Sequence, residues 1–129
     1  MAQAVMHRGK PSPPTMAAVA SLADVRAGCA DLITRLGLEA VLEGDPAEAQ
    51  WLGLHRRGKS GRLLKEPVAA LAYERVAFEL VELPDGTWAE EERGLRERPW
   101  IVRLKSGTTT YRSLERAAGV FRAGLEAMG

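Results

Sequence analysis

The segment "GLHRRGKS", Gly53 to Ser60, sets two glycines, a lysine and a serine at the spacing G-x-x-x-x-G-K-[ST]. That spacing suits phosphate chemistry. Glycines let backbone N–H groups close on a phosphate, the lysine neutralises it and the hydroxyl holds magnesium. The chemistry works where a buried strand enters the loop and a helix leaves it, so that the helix N-terminus also faces the anion. Neither flank fits on the sequence. Asp45, Pro46, Ala47 and Glu48 read as a capped helix start ahead of Gly53, and Pro67 leaves little room for a helix after Ser60. The carboxylate that would hold magnesium through water would have to come from Glu79 or Glu82, on a strand expected to be antiparallel.

The same stretch admits a second chemistry. Arg56, Arg57, Lys59, Arg62 and Lys65 fall close together, with no acid between residues 51 and 65. A glycine-flexed loop with that charge can track a phosphate backbone and release its counterions. Trp51 and His55, just upstream, can stack on an unpaired base, and Arg103, Lys105 and Arg112 form a second cationic group. The expectation is a contact to DNA or RNA made by these residues. The plain alternative is ion pairing within the molecule or between subunits. Residues 16 to 50 hold six acids against Arg26 and Arg35, and residues 66 to 99 hold nine acids against four arginines.

Other residues with chemical potential reduce to ordinary roles. Glu90 and Glu92 would share one face of a strand, but further converging ligands for a metal are missing, and a solvated charged edge discourages aggregation. Cys29 falls on an apolar helix face and reads as a buried thiol. One cysteine and two histidines supply too few soft ligands for structural zinc, and His55 has no acid beside it to orient it. No set of nucleophile, base and oxyanion donor is complete, so neither an enzyme nor a cofactor is expected. The expected function is that of a small non-enzymatic accessory or regulatory binding protein contacting nucleic acid through residues 51 to 65. Alternatives are a protein-interaction adaptor or homo-oligomeric assembly protein using the helix from Tyr111 to Met128, and a nucleotide-binding protein using residues 53 to 60.

The elements that must position these residues follow from periodicity and turn chemistry. The chain has 129 residues and a net charge of +1, enough for one domain with its own core and no global field toward polyanions. Residues 1 to 15, rich in proline, read as a disordered tail, and residues 16 to 129 as a single α+β domain. Arg8 and Lys10 ahead of an alanine-rich stretch resemble a secretion signal, but Asp24 and Arg26 interrupt the apolar run. No segment reaches transmembrane length, so a cytoplasmic protein without membrane contact is expected.

Ser21 caps a helix whose face is Leu22, Val25, Cys29, Leu32, Ile33 and Leu36, ending at Gly37. A second helix is expected through Trp51, Leu52 and Leu54, and a third, short one after Pro67. Strands follow from about Arg75 to Leu83, through "TWAEEE" beyond the Pro84-Asp85-Gly86 turn, and through "WIVRLK". They would form a three-stranded antiparallel meander, with Phe78 and Trp88 in neighbouring strands. Threonines 108 to 110 would cap a C-terminal amphipathic helix packed on that sheet.

Overall fold

A computed structural model describes residues 15–129; the expected tail therefore lies outside the described residues except for Thr15. The first helical segment, α1 (Leu22–Gly28), starts as its sequence requires: the Ser21 hydroxyl accepts the Asp24 N–H at 3.1 Å. At Cys29 the chain departs from helical geometry before α2 (Ala30–Arg35). The Cys29 N–H still bonds to the Val25 carbonyl and its own carbonyl accepts from Ile33, so one kinked rod keeps one apolar face. Leu22, Val25, Cys29, Leu32 and Ile33 are all buried. Gly37, at φ 69°, turns the chain into the sheet.

Strands follow in the order β1 (Glu39–Asp45), β2 (Ala49–His55), β3 (Ala69–Glu74), β4 (Val76–Glu82), β5 (Trp88–Leu95), β6 (Trp100–Leu104) and β7 (Gly107–Tyr111). Five of them make an antiparallel sheet in the order β1-β2-β3-β6-β7, while β4 and β5 pair only with each other. The expected meander is thus corrected. Phe78 and Trp88 do lie in adjacent antiparallel strands, but β6 pairs with β3, Leu71 opposite Val102, and not with β5. The β4–β5 hairpin is an arm leaving the end of β3 and returning to the start of β6.

Two expected helices are strands. Asp45-Pro46-Ala47-Glu48 forms the turn between β1 and β2: the Asp45 carboxylate accepts the Ala47 N–H at 2.8 Å, and the Glu48 N–H reaches the Asp45 carbonyl at 3.1 Å. An acid accepting an amide two residues on and a proline preset near −65° serve a β-turn and a helix start equally, which is why the local signal misleads. Likewise "AALA", residues 69–72, favours a helix intrinsically. Its place between β2 and β6 overrides that preference, because two neighbours satisfy its backbone groups on both sides.

The last helix, α3 (Leu114–Met128), is capped by the Ser113 hydroxyl on the Arg116 N–H at 3.1 Å. The expected caps, Thr108 to Thr110, instead form β7, and Tyr111 belongs to that strand. Leu114, Ala117, Ala118, Phe121 and Leu125 are buried, packed with α1 and α2 over one face of the five-stranded sheet. Leu52, Leu54, Leu71 and Val102 point up into that layer. Most of the apolar stripe of α3 is therefore spent on the core. The alternate residues of the strands form the opposite face, which no helix of the described residues covers.

Candidate functional site

His55 ends β2, and the chain beyond it folds back as a small hairpin. Arg57 and Leu63 bridge, and the Leu64 N–H bonds to the Arg56 carbonyl at 2.8 Å. At its tip the Gly58 N–H reaches the Arg62 carbonyl at 2.8 Å, with Gly61 at φ 83°. Gly53 sits in mid-strand between Val41 and Ala70. The flank before the motif is thus a strand and not the expected helix, but the next element after Ser60 is the strand β3 and not a helix. The Gly58 amide is spent on a carbonyl, and Glu79, paired with Arg93, lies on the hairpin arm beyond the far end of β3. The match at 53–60 lacks the helix N-terminus on which phosphate cradling depends, and its Gly58 amide faces a carbonyl.

Charge in this region is distributed more tellingly. Arg57 pairs with Glu39 at 2.6 Å and also donates to the Gly61 carbonyl, so it ties the loop hairpin to β1. Arg56, Lys59, Arg62 and Lys65 have no carboxylate partner among the described residues. Register places Arg103 opposite Ala70 on the open face of the sheet, and Lys105 follows in the β6–β7 turn. Arg56, Arg103 and Lys105 line one groove with Pro67, Val68 and Met128. Arg112 does not join them. It lies past the other end of β7, four residues beyond the partner of Arg103 and about 13 Å away along the strand, and it pairs with Glu97.

Trp51 and His55 share the open face of β2 but differ in access. His55 is only 6 % exposed. Its Nδ1 lies 2.8 Å from the Leu64 carbonyl, and since a carbonyl only accepts, Nδ1 carries the proton. Nε2 is buried with no hydrogen-bond partner among the described residues and faces Gly53 and Trp51, whose ring meets the imidazole edge-on with centroids 5.8 Å apart. His55 therefore ties the loop to β2 and leaves little of its ring exposed. Trp51 is half-buried and borders a shallow groove floored by Ala70 and Ala72 and closed by Ile101 and Arg103.

Two surface features escaped the sequence reading. One is this groove: the alternating small residues of "AALA" are its signal, because every second residue of a strand lies on the open face. The other is the β4–β5 arm, where Phe78, Leu80 and Trp88 are 55, 64 and 63 % exposed. They lie opposite Glu92, Glu90 and Glu82 respectively, which makes one face of the arm a checker of large apolar and acidic side chains. Glu90 and Glu92 thus do share a face. Among the described residues no group of three or more His, Cys, Asp or Glu is placed to share a metal ion.

Cys29 is fully buried, and burial pushes its thiol pKa up, with the Arg122 guanidinium opposing. No helix among the described residues is long and apolar enough to cross a membrane. No family model matches the chain, and no curated protein or solved structure is significantly similar to it.

Proposed function

We propose that the chain is a non-enzymatic binding protein whose basic end, formed by the 56–65 loop and the β6–β7 turn, contacts nucleic acid. One observation carries this: of the five loop cations only Arg57 has a carboxylate partner among the described residues. Cations already paired within the fold have little left for phosphate. Arg56, Lys59, Arg62, Lys65, Arg103 and Lys105 keep that capacity, and Trp51 on the adjoining groove supplies an aromatic surface. The contact is local and electrostatic, since the net charge is only +1.

The test is a retardation assay with single- and double-stranded DNA and RNA at two salt concentrations, comparing the unaltered chain with Arg56→Ala/Lys59→Ala/Arg62→Ala. Arg57 is left in place because it tethers the loop. Loss of three phosphate contacts should lower affinity and flatten the slope of log K against log salt by about 3. Failure of the unaltered chain to retard any of the four nucleic acids at low salt would refute the proposal. Protein docking is the second reading, favoured by the exposed apolar arm of β4 and β5.

A further inference from the structure

The β4–β5 arm is chemically unlike the rest of the surface. Residues 76 to 95 carry six acids against Arg93 alone, and Arg93 is paired with Glu79 on the face away from Phe78, Leu80 and Trp88. The arm's base is held by the rest of the fold: Arg96 pairs with Glu74 at 3.0 Å, and the Arg75 N–H bonds to the Glu48 carbonyl at 2.9 Å. A rooted arm thus presents large apolar side chains among carboxylates that, Glu79 apart, have no cationic partner among the described residues. Solvated hairpins seldom do so without a partner, because such side chains expose apolar area that burial would stabilise by about 25 cal/mol per Å².

The complement of that surface is in the same chain. The groove of about 780 Å³ between the loop, the β6–β7 turn and the end of α3 has an apolar wall of Pro67, Val68, Leu104 and Met128. Arg56, Arg103 and Lys105 lie along it without carboxylate partners among the described residues. Within one molecule the two surfaces stand apart. The arm springs from the Glu74 end of β3 and the groove lies at its Ala69 end, with the six-residue strand, about 20 Å of rigid sheet, between them.

We propose that a second copy of this chain docks its acidic, apolar arm into the basic, apolar groove of the first. This develops the protein-docking reading and does not depend on nucleic acid. Trp88 and Leu80 enter the groove, and Glu90 and Glu92 meet Arg103 and Lys105. The two surfaces differ, so the contact is heterologous: each copy keeps a free arm at one end and a free groove at the other, and association continues into a ring or a filament. Nucleic acid and the arm then compete for Arg103 and Lys105.

Sedimentation of the full chain without nucleic acid tests this. Mass should rise with protein concentration beyond a dimer, and association should weaken at least about tenfold as salt approaches 1 M, where screening acts within about 3 Å. Leu80→Ala/Trp88→Ala disables the arm, and Arg103→Glu/Lys105→Glu reverses the groove. Each variant should be monomeric alone, and circular dichroism should show both folded, since all four side chains are exposed. Mixed, they should give a 1:1 dimer and nothing larger, because one intact arm meets one intact groove.

A monomer up to about 1 mM, an assembly indifferent to both variants, or a mixture that stays monomeric would each overturn the proposal. The arm variant keeps the basic end, so its nucleic-acid affinity reports on that proposal separately.

Discussion

The ring of Trp51 lies over Gly53, so that a β-carbon at Gly53 would stand 2.0 Å from the ring and 2.9 Å from His55 Nε2. The glycine that completes the phosphate-loop spacing is thus required for another reason. It leaves room for an aromatic side chain to cross the open face of β2 and reach the imidazole.

Gly53→Ala should therefore move the indole off β2. We expect a shift in tryptophan fluorescence and a loss of about 1–3 kcal/mol of stability from the displaced packing. Urea unfolding followed by circular dichroism would check the second figure. No nucleotide affinity should be present to lose.

His55→Ala should free the 56–65 loop from β2. The substitution removes the bond to the Leu64 carbonyl and leaves a cavity beside Trp51, costing about 2–4 kcal/mol. Amide exchange should rise at Leu64 and Gly58, whose N–H groups close the loop hairpin, while the α3 amides stay protected until global unfolding.

Gly44 and Gly37 make a controlled pair. Both have positive φ, at 102° and 69°, but a β-carbon at Gly44 would stand 2.3 Å from the Ala49 carbonyl oxygen, whereas one at Gly37 meets nothing within 4 Å. Gly37→Ala should cost about 1 kcal/mol from backbone strain alone. Gly44→Ala must also push apart the β1–β2 turn and should cost about 3 kcal/mol or more, a fall of roughly 10 °C in Tm by calorimetry.

Cys29 should resist thiol reagents in the folded protein and react at the rate of unfolding, as a 5,5′-dithiobis(2-nitrobenzoate) time course would show. Burial raises the folded pKa above the ordinary thiol value of 9.0, so the neutral thiol is the form the fold retains. Its stabilising contribution is whole below that value and is lost as pH rises from there through the folded pKa. Cys29→Ala should remove that part of the alkaline dependence of the unfolding midpoint.

What the amino-acid sequence determined by itself lies within a few residues along the chain. Ser21 and Gly37 bound the kinked helical rod, Pro84-Asp85-Gly86 turns β4 into β5, and the stripe from Leu114 to Leu125 finds a sheet, because caps, turns and helical faces act between residues at most four apart. The cluster of loop cations was legible for the same reason.

Tertiary structure decided the rest. Ala49–His55 and Ala69–Glu74 became strands because neighbouring strands, all but β1 reached through long intervening segments, satisfied their backbone groups. Arg57 was separated from Arg56, Lys59, Arg62 and Lys65 by the reach of Glu39, and Arg112 from Arg103 by the length of β7. His55 was buried when the loop folded back over it. A strand's hydrogen bonds and a charge's partner are both supplied from outside the segment that carries them, so no local pattern of residues contains them.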